Sequence, residues 1–306
     1  MKSLKKTIIL PLLLFVLLIA WQSVLYLCMP VDIKKDFSPF QAQKNTAVFA
    51  AYTQDGIVSD YVISYLKALK EIAPNIIYIT DNPLKRTEIK KLSPYVTHLE
   101  ASRHGEYDWG SYKRGFNWLK ENNYLLQTNK LILANDSALL IAESLKPVLN
   151  AMPKGTDLYG ITANQDGTYH LQSYFLILGK DLFNHPLFDE YLNTVRAQKD
   201  GLTVAYRYEV PFTQFVTDLG YKTAAYIPYE QLKHLPLNDK NCYPLTMLSK
   251  YHAPFLKMRT FTNRLNVQEP RRLVFNWLKK NNPKAYSELL SHLKHINSPY
   301  LKENRS

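Results

Sequence analysis

The feature that most constrains the fold is a short apolar run that ends at three small polar residues. Residues 131–134 read Leu-Ile-Leu-Ala, and Asn135, Asp136 and Ser137 follow directly. The run has the composition of a buried strand, and ligands of open α/β sheets gather at the carboxyl ends of the strands. The pattern therefore predicts a functional site at these three residues. A structural alternative is that Asp136 or Ser137 caps a helix beginning at Ala138.

Strand-like and helix-like segments alternate through most of the chain. Apolar strand-like runs stand at 46–52, 75–80 and 131–134, and helical patterns separate them. Such alternation predicts an α/β fold with a mostly parallel sheet and helices on both faces. Beyond these runs, 157–162 and 171–178 predict two strands joined across the turn signal Asp166-Gly167.

Further helices are expected where apolar residues recur at helical spacing. The strongest of these patterns runs from Ile141 to Met152 and another from Phe212 to Leu219. Beyond Pro236 the chain becomes richer in basic and aromatic residues, and helical patterns at 271–280 and 284–295 favour an extension packed on the sheet.

The composition is that of a folded domain with a basic surface. The chain has 306 residues, 46% hydrophobic content and a formal net charge of +12. Such a charge favours a negatively charged partner, and phospholipid or a nucleotide sugar explains it best. Nucleic acid is not expected, because the sequence has no RNP-like motif, zinc-finger spacing or long Lys/Arg run.

The amino terminus predicts a single-pass membrane anchor. Residues 7–31 contain no charged side chain, and the apolar run from Ile8 to Met29 would span roughly 33 Å as a helix. A hydrocarbon core is about 30 Å thick. A cleavable signal peptide is the alternative, but its apolar region is normally shorter.

The sequence thus predicts five segments. They are a basic flank (1–6), a transmembrane anchor (7–31), a tether (32–44), the main α/β domain (45–235) and a carboxyl-terminal helical extension packed on it (236–306).

Five motifs in order resemble the rhamnan synthesis F family of glycosyltransferase-like proteins, which act in bacterial cell-surface polysaccharide assembly. They are Gly-Glu-Tyr-Asp-Trp-Gly-Ser-Tyr-Lys (105–113), Asn-Asp-Ser (135–137), Asp-Leu-Tyr-Gly-Ile-Thr (157–162), His-Leu-Gln-Ser-Tyr-Phe-Leu (170–176) and Ala-Pro-Phe-Leu-Lys (253–257). The resemblance covers roughly residues 47–295. In the first motif, His104 and Trp109 stand where the family more often has Asn and Phe.

This resemblance implies a GT-A-type glycosyltransferase fold that binds a nucleotide sugar. In such enzymes a short acidic motif holds Mg²⁺ or Mn²⁺ against the donor diphosphate, and Asp136 stands where that motif belongs. The motif here has one carboxylate where the usual one has two. The metal is therefore held weakly, or a basic residue takes its place, and Arg103, Lys113 and Arg114 are the available cations.

Donor contacts are expected from the neighbouring motifs as well. Asn135 and Ser137 flank the acidic residue, and Arg103 precedes the first motif. Asp108 and Ser111 open a helix, whose free N–H groups suit a phosphate or a sugar hydroxyl; an ordinary helix cap is the alternative. Asp81 could meet the nucleotide base or ribose, although turn residues of this kind are more often structural.

The acceptor site is expected on the strand that begins at His170. Alternation places His170, Gln172 and Tyr174 on one face, with Leu171 and Ser173 on the other. A polar row on a central strand suits an acceptor-sugar pocket. His170 could instead be a structural histidine or a metal ligand beside Asp136.

Glu209 is the expected catalytic base, with Asp166 as its substitute. In GT-A enzymes this residue often begins a helix in an acidic pair, about eleven residues before a Gly-Tyr-Lys-like turn. Glu209 stands eleven residues before Gly220-Tyr221-Lys222, with Val210 in place of the second acid. The alternative is a first-turn glutamate favoured by the helix dipole.

Three classes of function follow. The first is an enzyme that moves a sugar, rhamnose or another deoxyhexose as the family name implies, from a nucleotide donor to a growing polysaccharide or lipid-linked glycan. The second is a catalytically silent scaffold of a polysaccharide assembly complex. A membrane-anchored hydrolase is third and weakest, because the sequence has neither a G-x-S-x-G nor an H-E-x-x-H motif.

The first class predicts an integral protein of the bacterial inner membrane whose catalytic domain faces the cytoplasm, where nucleotide sugars are made. A reporter enzyme that is active only in the cytoplasm, fused after Ser306, should therefore be active. A fusion active only outside the cytoplasm would contradict direct use of a cytoplasmic nucleotide sugar.

Overall fold

The centre of the molecule is a nine-stranded mixed sheet. A computed structural model describes residues 14–22, 25–261 and 265–304. Its sheet has the order β10-β9-β11-β7-β3-β4-β6-β2, and β12 lies beside β9. The strands are β1 (Pro30–Val31), β2 (Ile33–Asp36), β3 (Lys44–Ala51), β4 (Asn75–Thr80), β5 (Leu84–Lys85), β6 (His98–Ala101), β7 (Thr128–Asn135), β8 (Ala138–Leu140), β9 (Leu158–Asn164), β10 (His170–Leu171), β11 (Phe175–Gly179), β12 (Thr223–Ile227) and β13 (Phe255–Lys257).

Helices connect most of these strands. Residues 14–22 form helix α1, and residues 25–28 are also helical. The other helices are α2 (Asp60–Ile72), α3 (Arg86–Leu92), α4 (Tyr107–Glu121), α5 (Lys146–Asn150), α6 (Lys180–Phe183), α7 (Pro186–Asn193), α8 (Gly201–Val204), α9 (Val210–Asp218), α10 (Tyr229–Leu232), α11 (Pro244–Ser249), α12 (Arg271–Asn281) and α13 (Pro283–His295); a π-helical turn (Ala205–Glu209) joins α8 to α9, and short 3₁₀ turns stand at Lys240–Cys242, Met258–Phe261 and Pro299–Asn304.

The strand directions differ between the two halves of the sheet. Strands β4, β3 and β7 run parallel, as do β4 and β6, so the amino-terminal half agrees with the expected parallel sheet. In the other half β11 is antiparallel to both β7 and β9. The expectation of a mostly parallel sheet is therefore wrong for the whole: β10 and β11 both pair antiparallel to β9, and only β12 runs parallel to it in this half.

Alternate residues of β3 face two separate apolar layers. Ala47, Phe49 and Ala51 belong to a layer covered by α2, α12 and α13, whereas Val48 and Ala50 belong to one covered by α4, α7 and α9. A strand buried on both faces reads as a continuous apolar run, which is how this strand appears in the sequence. The two carboxyl-terminal helices therefore share a core with the sheet.

Two predicted segments have a different structure. The helix expected from Ile141 to Met152 is wrong: residues 138–140 form β8, which pairs with β13, and only Lys146–Asn150 are helical. Pairing with a distant strand overrides the local helical spacing there. Residues 32–44, expected to be a tether, contain β2, which pairs with β6 at the edge of the sheet.

The predicted anchor at 7–31 lies partly on residues 1–13 and 23–24, which are outside the described residues. Among the helices in the described ranges, none has both the length and the apolar character needed to cross a membrane. Leu14 to Ile19 and Trp21 are exposed.

Gly115 is where α4 packs most closely on the sheet. A Cβ atom at this position would lie 2.4 Å from Cγ1 of Val48, which is fully buried. We predict that Gly115→Ala lowers the free energy of unfolding by about 1–3 kcal/mol, the usual cost of overpacking a core, as measured by urea denaturation.

Gly201→Ala is the matched control. A Cβ atom there would lie 3.6 Å from Tyr107, an ordinary contact distance, at the start of α8. Equal stability of the two variants would contradict the packing argument.

Candidate functional site

The site lies at the carboxyl ends of the parallel strands. Strand β3 ends before Tyr52 and β7 ends before Asp136. The Tyr52 N–H donates a hydrogen bond of 2.8 Å to Oδ2 of Asp136, and the Tyr61 hydroxyl donates to the Asp136 carbonyl at 2.8 Å. The Asp136 N–H in turn donates to the carbonyl of Ala50. These bonds fix the Asp136 carboxylate at the edge of the sheet.

Asn135 and Ser137 build the loop around Asp136. Oδ1 of Asn135 accepts from both the N–H and the hydroxyl of Ser137, at 3.1 and 2.6 Å. The alternative that Asp136 or Ser137 caps a helix is wrong, because Ala138 begins strand β8 and there is no helix to cap. The loop is a rigid turn between two strands.

Strand β13 places Lys257 beside this loop. Lys257 pairs with Ala138 in the β13–β8 ribbon, and the Met258 N–H donates to the Ser137 carbonyl at 2.9 Å. The Lys257 Nζ donates to Oγ of Ser137 at 2.6 Å and lies 4.5 Å from the ring centroid of Tyr174. Lys257 was missed as a site residue, although it ends the 253–257 motif of the family resemblance.

Asp108 faces the same loop from the first turn of α4. Positive φ values at Gly105 (72°) and Tyr107 (57°) produce the tight turn that precedes it; the second is unusual for a bulky residue and is a form of strain found at functional sites. Nδ2 of Asn135 donates to Oδ2 of Asp108 at 3.2 Å and lies 3.2 Å from the Tyr112 hydroxyl. The structure thus brings together Asp108, Asn135, Asp136 and Ser137.

Glu209 closes the other side of the group. Its Oε2 accepts from the Ser173 N–H at 2.8 Å and from the Ser173 hydroxyl, which lies 3.5 Å from Oδ2 of Asp108. Glu209 does not begin a helix: helical structure starts at Gly201, capped by Asp200. The first-turn alternative is therefore wrong, and Glu209 ends a π-helical turn, a feature frequent at functional sites.

Burial shifts the pKa values of the ionisable groups in the site in the direction that favours their uncharged forms. Burial and then the charge of Glu209 raise the pKa of the Asp108 carboxyl to about 6. Burial raises the pKa of Asp136 to about 7; the Tyr52 N–H opposes this shift and the charge of Asp108 adds to it. Burial and then the charge of Arg259 lower the pKa of the Lys257 ammonium to about 8. Carboxylates held this far from their ordinary range are typical of functional sites.

The three residues expected to bind acceptor do not form one row. The predicted strand is interrupted between β10 and β11 at residues 172–174, so the alternation fails there. Gln172 and Tyr174 both contact the Thr162 hydroxyl, at 2.7 and 3.1 Å. His170 is buried, its Nδ1 donates to the Thr168 carbonyl at 2.8 Å, and its Nε2 lies 4.0 Å from Glu209. His170 therefore adjoins the candidate base.

Three of the residues expected to bind the donor make contacts within the protein instead: Asp81, Arg103 and Ser111. Oδ1 of Asp81 accepts from the N–H groups of His104 and Gly105 at 2.6 and 2.7 Å, and its Oδ2 forms an ion pair with Arg103 at 3.2 Å. The Ser111 hydroxyl contacts the His104 ring at 3.1 Å and is buried. These contacts build the turn that leads to α4, and only Arg103 is exposed among the three.

Other candidates also lie apart from the group. Asp166 is exposed on the β9–β10 turn, and Oδ2 accepts from the Tyr206 hydroxyl at 3.2 Å. Lys113 and Arg114 both contact Glu106, so these two of the three cations proposed to replace a metal are already paired, as Arg103 is with Asp81.

The donor set fits a metal ion only in part. Within the described ranges, no cluster of three His, Cys, Asp or Glu side chains is arranged to hold a metal. The Asn135 and Ser137 side-chain oxygens are engaged in the loop, and Asp136 is its one carboxylate. Mg²⁺ is often held by one or two carboxylates together with substrate phosphates and water. The site therefore fits an ion completed by a diphosphate and does not fit a protein-only metal cage.

Comparison with known proteins identifies the family. A family model described as rhamnan synthesis protein F matches residues 76–303, more than half of the chain. The chain belongs to the rhamnan synthesis protein F family. The predicted family is thereby confirmed. No curated protein sequence gives a significant match.

Comparison with solved structures gives matches of low sequence identity. A protein described as a nucleotide-diphospho-sugar transferase from Desulfovibrio desulfuricans G20 has 12% identity and a TM-score of 0.40, over 80% of this chain and 98% of that one. A cytidylyltransferase from Leptospira borgpetersenii has 11% identity and a TM-score of 0.39, over 80% and 97%. Core-mannan synthase A from Aspergillus fumigatus, in a Mn/GDP form, has 11% identity and a TM-score of 0.33, over 52% and 66%.

The raised pKa of Asp136 predicts a pH-dependent loss of stability. The folded protein keeps this proton up to about pH 7, whereas the unfolded chain loses it near pH 4, so the free energy of unfolding falls as pH rises through this window. Asp136→Asn should remove the effect and be more stable than the native protein by about 2 kcal/mol at pH 8, with little difference at pH 4.

Urea denaturation at several pH values measures this difference. Asp166→Asn, at an exposed position, serves as the control and should keep the native pH dependence. An Asp136→Asn variant with the native slope would show that the buried carboxyl does not titrate in this range.

Proposed function

We propose that this protein is a membrane-anchored, GT-A-like glycosyltransferase that moves a sugar from a nucleotide donor to a growing cell-surface polysaccharide or lipopolysaccharide. Rhamnose is the first candidate sugar, because the family is named for rhamnan synthesis. One observation carries the proposal: Asp108, Asp136, Glu209 and Lys257 meet where parallel strands end, the usual ligand position of an open α/β sheet.

Transfer needs one group to take a proton and others to hold the departing diphosphate. We assign the proton to Glu209, whose side chain is 19% exposed and lies within reach of an acceptor hydroxyl. Ser173 holds that carboxylate in place through two hydrogen bonds. His170, at 4.0 Å from Glu209, is assigned to the acceptor side.

The loop of Asn135, Asp136 and Ser137 is assigned to the donor. Asp136 would hold Mg²⁺ or Mn²⁺ together with oxygens of the diphosphate, and such an ion offsets negative charge on the leaving group. Asp108 lies between this loop and Glu209: its carboxylate contacts Asn135 of the loop and Ser173, which also contacts Glu209. We assign it to contact with the sugar that passes from donor to acceptor.

Membrane anchoring is part of the proposal and rests on the uncharged residues 7–31. The exposed apolar side chains at 14–19 and 21 agree with contact with membrane lipid. A lipid-linked acceptor would be elongated beside such an anchor, on the side of the membrane where the donor is made. Fractionation of cells into membrane and soluble proteins tests the anchor directly.

The function is tested with purified full-length protein and a panel of nucleotide sugars, including dTDP-rhamnose. Binding is measured by calorimetry, and transfer by release of the nucleoside diphosphate with an isolated polysaccharide acceptor. Binding of one donor with transfer supports the enzyme. Binding of none would favour the scaffold, the alternative that the single-carboxylate loop also fits.

For Glu209 we predict separate effects on binding and turnover. Glu209→Gln should bind the nucleotide sugar as well as the native protein, while kcat falls by roughly 100-fold or more, the scale of lost general-base help. The glutamine oxygen can still accept from Ser173, so the fold should survive, which a thermal melt would verify.

Glu190→Gln, on the exposed surface of α7, is the matched control and should have native turnover. Near-native turnover of a folded Glu209→Gln variant would return Glu209 to a structural role, and Asp166→Asn would be measured next.

A further inference from the structure

Lys257 forms no direct ion pair among the described residues, although Glu209, Asp108 and Asp239 lie near enough to act on its charge. Its one direct polar contact there is the neutral hydroxyl of Ser137, and its ammonium also lies over the Tyr174 ring. No carboxylate oxygen in the described ranges forms an ion pair with it within 4.0 Å. A partly buried ammonium is costly unless it meets an anion. The ammonium is therefore free of a direct ion pair in the described residues and can contact an anionic ligand at the loop.

The other cations near the site differ in this respect. Arg259, two residues further along, forms an ion pair with Asp239. Arg103 is paired with Asp81, and Lys113 with Glu106. Lys257 alone in this set lies beside the Asp136 loop and forms no direct ion pair with a carboxylate.

The position of Lys257 is fixed by backbone pairing. The β13–β8 ribbon joins Leu256 to Leu139 and Lys257 to Ala138, immediately after the loop of residues 135–137. Both leucines are buried in the core. A lysine ammonium has three protons to donate. One reaches Ser137, which leaves two for oxygens of a ligand bound at the loop.

We propose that Lys257 binds the diphosphate of the sugar nucleotide and stabilises the negative charge that forms there during transfer. The inference rests on the proposed function. In that reaction the bond from the anomeric carbon to the diphosphate oxygen breaks, and its electron pair stays on the diphosphate. A bond forms from that carbon to the acceptor oxygen, whose proton passes to Glu209. Positive charge on Lys257 is then strongest where the leaving group gains negative charge.

The test compares nucleoside diphosphates with nucleosides lacking phosphate. Calorimetry of full-length protein with GDP, UDP and dTDP, and with guanosine, uridine and thymidine, gives the affinity due to the phosphates. Lys257→Met keeps the length of the side chain and removes the charge. It should weaken binding of the preferred diphosphate by about 10- to 100-fold, the scale of a hydrogen bond to a charged group, and leave nucleoside affinity unchanged.

Two further variants complete the experiment. Lys233→Met removes one lysine charge from an exposed position directly after α10 and should bind both ligands like the native protein. Lys257→Arg keeps the charge and should bind the diphosphate better than Lys257→Met does. If Lys257→Met does not fold, a folded Lys257→Arg variant still decides: a change in diphosphate affinity alone supports the proposal, and equal losses for diphosphate and nucleoside overturn it.

The outcomes separate this inference from the proposed function. If the native protein binds no nucleoside diphosphate, the proposed function fails and the role of Lys257 fails with it. If the native protein binds one and Lys257→Met binds it equally well, the role of Lys257 alone is overturned.

Discussion

The hydrogen bond between the Tyr52 N–H and the Asp136 carboxylate connects the sheet to its site. It joins the ends of β3 and β7, two parallel strands at the centre of the molecule, at a distance of 2.8 Å. Parallel strands end at one edge, so their last residues meet without further arrangement. The Asp136 backbone is held at the same point by Ala50 and Tyr61. The Asp136 carboxylate is thus held by the Tyr52 N–H, while its backbone is held by the two other bonds.

The remaining parts of the site come from elements that pack against this edge. The β13–β8 ribbon delivers Lys257, the first turn of α4 delivers Asp108, and the helical stretch from Gly201 to Asp218 delivers Glu209. Each of these elements buries apolar side chains in one of the two layers that flank β3. Burial of apolar surface in those layers is favourable. It offsets the cost of bringing like charges together and of removing polar groups from water.

The charged groups of the site are close together but do not form direct ion pairs with one another. The Ser173 hydroxyl contacts the carboxylates of both Asp108 and Glu209, and the charge of Glu209 contributes to the raised pKa of Asp108. Lys257 is close enough to lower the pKa of both Asp108 and Asp136, yet it pairs with neither. A charged group without a direct ion pair, such as Lys257, lowers the stability of the free protein. Binding of an anion, with its cation, to the folded protein would raise that stability.

The sequence by itself determined the α/β class, the strand that ends at Asp136 and the family, because these depend on local periodicity and on short motifs. It also indicated Glu209 by its distance from the turn at Gly220. The tertiary structure decided the rest. Only pairing between distant strands made residues 138–140 a strand instead of a helix and brought Lys257 to the loop, and only internal contacts removed Asp81 from the candidate site. Long-range pairing and burial depend on residues far apart in the chain, and local pattern carries no information about which of them meet.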